Sequence, residues 1–192
     1  VRSLLPKPLN SNIQVDAVFI PSSQLGGDCF DYYWLDADRL VVYLLDTSGH
    51  GVGAALLSIS VLNLLRSQSL SEVDLSDPSS VMAELNRKFQ MNQHGDKYFT
   101  MWYGVYNKAE QRLTYASAGH PPALLIPQDS TGKARVQKLE SLSMPVGFFF
   151  DASFTNDECC IEPGSRLYIF SDGVYEIKQD NGKLWGLDQF IE

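Results

Sequence analysis

Residues 39–46 read RLVVYLLD, an apolar run of strand length that ends on a carboxylate. Such a run has no polar face to turn toward water. A strand made from it has to be covered on both sides and stand in the interior of a sheet. The residues that follow are just as constrained. A glycine-rich turn, TSGHGVG (47–53), leads into a segment, 52–68, whose apolar side chains recur at helical spacing. Val52, Leu56, Ile59, Leu62 and Leu65 mark that period, and Ala54, Ala55, Ser58 and Ser60 are small enough to let a helix approach a sheet closely. The chain is therefore expected to deliver Asp46 to a sheet end, turn sharply, and lay a helix back on the sheet.

The remaining segments fit around that unit. IQVDAVFI (13–20) is strand-like, and CFDYYWL (29–35) forms a hairpin with 39–46 across DAD (36–38). Asp77 is a candidate cap for a second helix with Pro78 in its first position, and Val81, Met82, Leu85 and Phe89 give that helix one apolar face. Beyond residue 96 the pattern turns to strands. Residues 97–107 pair with 112–119 across AEQ; PALLIP (122–127), a polar turn at 128–134 and an edge-like strand at 136–139 follow. Two further strands, 153–161 and 166–171, flank EPG, and GLDQFIE begins a helix. Helices in the middle of an antiparallel strand set imply an α+β fold with helices layered on sheets. The glycines of GGDCFD and GHGVG have neither a Walker lysine nor dinucleotide spacing.

Composition narrows the partners. With 192 residues, 44% of them apolar, the chain can bury the core of one domain. Its net charge is -8 and Lys and Arg form no cluster, so no nucleic-acid partner is expected. Cys29, Cys159 and Cys160 make an odd count without ligand spacing, which points to free thiols in a reducing, cytoplasmic setting. No run of 18 apolar residues is present, so no membrane span is expected within this segment. VRSLLPKP reads as the last turn of a helix stopped by Pro6 and Pro8.

Three aspartates share one setting. Asp28 follows Gly26–Gly27, Asp46 closes an apolar strand, and Asp172 closes another, LYIFS, before Gly173. One such residue is ordinarily a turn aspartate bonded to its own backbone. Three of them on rigid strand ends can converge, and converging carboxylates repel unless cations neutralise them. Oxygen-only ligands suit Mg²⁺ or Mn²⁺. Zinc is disfavoured, because His50, His94 and His120 form no ligand motif. Ser48 and Ser171 sit in no nucleophile elbow. His120, in the rigid turn GHPP, is either a locally bonded turn residue or a contact to substrate or another loop, and Asn107 and Glu176 read as structural or rim residues.

In order and spacing, GGDCFD (26–31), DTSGHGVGAAL (46–56), YFTMWYGVYN (98–107), LTYASAGHPPALLI (113–126), MPVG (144–147) and YIFSDGVYE (168–176) resemble the SpoIIE/RsbU-type PP2C-like serine/threonine phosphatases of bacteria. The resemblance covers the chain from about residue 13 onward. It implies a four-layer α-β-β-α sandwich of two facing antiparallel sheets with helices outside. It also implies a site holding two cations, Mn²⁺ or Mg²⁺: Asp28 bridging them, Asp46 and Asp172 as further metal aspartates, and Thr47 contributing its backbone carbonyl. The sequence departs from the family pattern at Thr47, Cys29, Asn107 and Met144, none of which removes a matched ligand. The family pattern continues with an Asp pair beyond the SDG block that does not occur before Glu192, so either the segment is incomplete or its second metal site is impaired.

The function implied is hydrolysis of phosphoserine or phosphothreonine, by a metal-bridged water, on a small regulatory protein of the anti-sigma-factor-antagonist type. Residues 1–9 would end a linker helix from an upstream sensor or receiver domain, with dimerisation as an option. Residues 10–192 would be the phosphatase domain, truncated at its C-terminus. The alternatives are a degenerate phosphatase serving as a phosphoprotein-binding or scaffold module and, disfavoured by the acidic charge, a nuclease.

Overall fold

The computed structural model describes residues 5–10, 12–21, 25–70, 73–128, 135–180 and 182–191. In chain order its elements are β1 (Leu9–Asn10), β2 (Gln14–Val15), β3 (Cys29–Trp34), β4 (Arg39–Thr47), α1 (Val52–Arg66), α2 (Pro78–Lys88), β5 (Phe99–Asn107) and β6 (Arg112–Ala118). Then come β7 (Ala123–Ile126), β8 (Gln137–Leu139), β9 (Asp157–Cys160), β10 (Arg166–Tyr168), β11 (Ile177–Lys178), β12 (Leu184–Trp185) and α3 (Leu187–Ile191). Short 3₁₀ turns cover Met91–Gln93 and Asp172–Val174.

Five antiparallel strands form the larger sheet in the order β3-β4-β5-β6-β9, and three form the smaller in the order β10-β7-β8. The apolar strand β4 lies inside the larger sheet, as its lack of a polar face requires. Its side chains alternate between two cores. Val41, Tyr43 and Leu45 join Met101, Tyr103, Leu57, Val61, Leu65, Met82 and Leu85 in a core between the larger sheet and helices α1 and α2. Val42 instead packs beside Trp102, Leu113, Tyr115, Ala123, Leu125 and Leu139, the filling between the two sheets. A third cluster joins Leu124 and Phe170 to Trp185, Leu187 and Phe190, so α3 covers the outer face of the smaller sheet. The molecule is thus an α+β fold with two antiparallel sheets flanked by helices, consistent with a PP2C-type sandwich.

Local chemistry explains several joints. Asp77 accepts from the Ser80 hydroxyl at 2.5 Å and from the Ser79 hydroxyl at 2.9 Å, and Pro78 occupies the first turn, so α2 starts where the sequence predicts. Trp102 reaches across the inter-sheet core to donate from Nε1 to the Leu139 carbonyl at 3.1 Å. Its ring needs the space above Gly104, where a Cβ would lie 2.5 Å from the indole.

The reading of 13–20 as one strand is corrected. Only Gln14–Val15 of the 13–20 run pairs as strand, and Val18 and Ile20 are exposed. The strands flanking EPG belong to different sheets: β9 pairs with β6, whereas β10 pairs with β7. EPG is therefore a crossing between layers. Residues 1–4 of the expected linker helix lie outside the described residues, as do residues 129–134 of the expected polar turn; residues 5–8 are not helical and Leu9 opens β1. Among the described residues, no helix is long and apolar enough to cross a membrane.

Candidate active site

The aspartates are brought together by strand alternation. Cys29 and Thr47 are buried, and their side chains reach Ser58 on α1. Their neighbours Asp28 and Asp46 therefore point toward the opposite, inter-sheet side. The register of β3 against β4 puts Cys29 opposite Leu45, which leaves Asp28 beside Asp46 at the same sheet end. The backbones are close enough there that a Cβ on Gly27 would lie 2.8 Å from Thr47 Cβ and 2.9 Å from its carbonyl oxygen. Only glycine permits that spacing. Ser58 fixes it, donating to the Gly27 carbonyl and standing 2.8 Å from Thr47 Oγ1. The Thr47 hydroxyl thus serves the helix contact and points away from the carboxylates.

Asp46, Asp172 and Glu176 line one cleft of about 330 Å³ with Thr100, Gly119, His120, Pro121 and Tyr175. Thr100 is directly opposite Asp46 in the β4–β5 ladder. Asp172 arrives from the smaller sheet as the first residue of a 3₁₀ turn, and its carbonyl accepts from the N–H groups of Tyr175 at 2.9 Å and Glu176 at 2.8 Å.

Electrostatically this cleft is strained. Burial, a hydrogen bond to Asp28, and the charges of Asp28, Asp172 and Glu176 push the Asp46 carboxyl up to about 8. A hydrogen bond between two carboxyls requires a proton on one of them, so the Asp28–Asp46 pair keeps a proton near neutral pH when no cation is present. Burial has the reverse effect on His120, pulling its imidazole down to about 4 and keeping it neutral.

Asp28 and Asp46 are thus in hydrogen-bonding contact, while Asp172 acts on Asp46 through its field. Among the described residues, no three His, Cys, Asp or Glu side chains stand together as a ready cation cluster. The chemistry of the donors nevertheless fits a hard divalent cation. They are oxygens only, and the crowding of negative charge that adds to burial in holding a proton on this pair is what a cation would relieve. His50 is exposed in its turn and does not line the cleft.

Sequence reasoning did not single out Thr100 or Tyr175, and it placed Glu176 at the rim, although Glu176 acts on Asp46. It read Ser58 only as a small packing residue. The one available signal was the apolar strand itself: its cross-strand neighbour at Asp46 has to be a site residue, but register is not written in either strand alone.

The model of the family Stage II sporulation protein E (SpoIIE) matches residues 36–192. The chain is 34% identical over 178 residues to the phosphoserine phosphatase RsbP of Bacillus subtilis, covering 91% of this chain and 42% of that protein. Against the phosphoserine phosphatase RsbU of the same organism it is 30% identical over 178 residues, covering 92% of this chain and 51% of the relative. The chain therefore spans about half the length of these relatives or less. Among solved structures, the RsbU and RsbW domains of a Mycobacterium tuberculosis protein superpose with a TM-score of 0.67 at 26% identity, over 82% of this chain and 43% of that one.

Proposed function

Because the chain belongs to the SpoIIE family of PP2C-like phosphatase domains, we propose that it is a metal-dependent phosphatase that hydrolyses phosphoserine or phosphothreonine on a small regulatory protein. The observation that carries this reading is the contact of Asp28 with Asp46, which lines a cleft where Asp172 and Glu176 add further negative charge. Two phosphoserine phosphatases among the relatives supply the reaction class.

On this reading Asp28, Asp46, Asp172 and the Thr47 carbonyl hold Mn²⁺ or Mg²⁺, with two ions expected. Such cations supply charge neutralisation, activation of water and polarisation of the phosphoryl oxygens. The chain's own residues set the geometry. Gly27, Thr47 and Ser58 hold the two strand ends at the spacing that keeps Asp28 against Asp46. The cleft is open to solvent on its Glu176 side, which suits a phosphorylated side chain presented by another protein. Water forms the new bond to phosphorus as the seryl or threonyl oxygen leaves, and the products are the free hydroxyl and inorganic phosphate. No cysteine or serine nucleophile is needed. Residues 10–192 would form the phosphatase domain, cytoplasmic, and residues 1–9 its link to a sensor or receiver module, with a homodimer as an option. The substrate on this reading is of the anti-sigma-factor-antagonist class.

Mn²⁺-dependent release of phosphate from a phosphoserine peptide by the wild-type chain tests the proposal. A second reading, a phosphoprotein-binding module without turnover, is favoured by the lack of a three-residue cation cluster among the described residues. It predicts phosphopeptide binding with no phosphate release at saturating Mn²⁺.

A further inference from the structure

Thr100, His120 and Tyr175 are polar cleft residues left without a role by the chemistry above, and the first two touch each other. Thr100 faces Asp46 across the β4–β5 ladder, and both line the cleft with Asp172. Its hydroxyl lies 3.0 Å from His120 Nδ1. The ring cannot easily swing away. Gly119 is bridged to Met101 and takes φ +64, and a Cβ there would lie 2.8 Å from Pro145 Cγ. The Ser117 hydroxyl donates to the His120 carbonyl at 3.2 Å, and Pro121 and Pro122 stiffen the chain beyond it.

The other ring nitrogen, Nε2, is buried without a partner at hydrogen-bond geometry. The ring also lies against the backbone of Phe170, a contact that favours a proton on the imidazole. A neutral imidazole carries one N–H and one lone pair. Nδ1 faces a hydroxyl that can donate or accept, so the Phe170 contact is what favours the proton on Nε2 and leaves Nδ1 as the acceptor. The single proton of Thr100 then points at the ring. What the hydroxyl turns toward the cleft is lone pairs alone.

We propose that Thr100 and His120 are a positioning pair in which His120 Nδ1 holds the Thr100 hydroxyl proton, so that Thr100 Oγ1 accepts a hydrogen bond from the water that attacks phosphorus. The inference rests on the phosphatase reading above. A water that attacks through a lone pair must turn its hydrogens toward acceptors. Asp46 offers an acidic one, and Thr100, directly opposite, offers a neutral one. Neither member of the pair gains or loses a proton in the step.

The test compares Thr100→Val, Thr100→Ser, His120→Asn and His120→Leu in turnover of a phosphoserine peptide with Mn²⁺, with Mn²⁺ binding measured separately without substrate. Thr100→Val keeps the shape and removes the hydroxyl; kcat is expected to fall roughly ten- to a hundredfold. KM and Mn²⁺ affinity should stay within about twofold, as expected when an interaction made mainly in the transition state is lost. Thr100→Ser should recover most of the loss, and so should His120→Asn, whose side-chain oxygen can replace Nδ1 as acceptor. The Thr100→Val/His120→Leu double variant should be no slower than the slower single variant. Nitrogen NMR of wild-type His120 should show the proton on Nε2, a readout independent of turnover and of metal. An active wild type with Thr100→Val at the wild-type kcat, multiplied losses in the double variant, or a proton on Nδ1 overturns the pair alone. A wild type that binds Mn²⁺ but releases no phosphate overturns the phosphatase reading and the pair's role with it.

Discussion

Asp46 and Asp172 both close an apolar strand, yet they are held in different ways. Asp46 is the penultimate residue of a nine-residue strand bonded on both sides by β3 and β5. Its neighbour Thr47 is pinned through Ser58 to the carbonyl of Gly27. Asp172 follows a three-residue strand at the edge of the smaller sheet and rides on a 3₁₀ turn. Its corner is tied to the larger sheet through the His120 ring, which bonds Thr100 on β5 and lies against the Phe170 backbone. One corner of the site is thus built into a sheet and the other is docked onto it. The difference teaches that the Asp28–Asp46 half is preformed, while the position of Asp172 depends on how well the two layers are packed.

Replacing the preformed half should do the most damage. Asp28→Ala should lower Mn²⁺-dependent phosphopeptide turnover about a thousandfold or more, because the cation's charge stabilisation is worth several kcal/mol. The fold should survive, since the change removes repulsion on Asp46; circular dichroism and thermal melting check that. Substantial turnover in this variant would sink the assignment of Asp28.

Acid should attack the docked corner next. The folded state holds His120 near 4 against an ordinary value of 6.5, so the unfolded chain binds the extra proton between those limits. The stability that depends on a neutral His120 is present above about pH 6.5 and lost as the pH falls toward 4, roughly 3 kcal/mol at most. Urea unfolding across that window should show the loss in the wild type and a shallower slope in His120→Asn.

A smaller effect is expected from crowding the preformed corner. Gly27→Ala puts a Cβ 2.8 Å from Thr47 Cβ and should cost about 1–3 kcal/mol while spreading Asp28 from Asp46. Equal stability and equal turnover would show that the strand ends are looser than the contact implies.

The subtlest measurement follows the Asp46 carboxyl by carbon NMR in metal-free protein. Asp28 raises it by contact and by charge, whereas Asp172 contributes charge alone. Its titration, up at about 8 in the wild type, should drop further in Asp28→Asn than in Asp172→Asn. The reverse order would make Asp172 the nearer partner and collapse the distinction between the corners.

Much of this was legible in residue order. The run 39–46 had to be interior, and it is; 52–68 had to be a helix on its sheet, and Val52–Arg66 is one. Asp77 and Pro78 announced α2 through local hydrogen bonding and a fixed φ. Asp28 and Asp46 could be suspected of convergence because both border strands of one hairpin. Val18 and Ile20 misled: alternation in 13–20 looked like a strand, but only Gln14 and Val15 found a partner, and an unpaired run cannot remain a strand. Glu176 read as rim because nothing local shows that its turn folds toward Asp46.

Periodicity and turn chemistry act within a few residues, through backbone sterics and the spacing of apolar side chains. They settled where the strands and helices lie and which aspartates close them. The meeting of Thr100 with His120, the passage of the chain at EPG from one sheet to the other, and the pairing of Ser58 with Gly27 are contacts between residues 20 to 31 positions apart or between separate sheets. Strand register and the packing of the two sheets decided them, because those are the steps that choose which faces meet and therefore which groups lose water together.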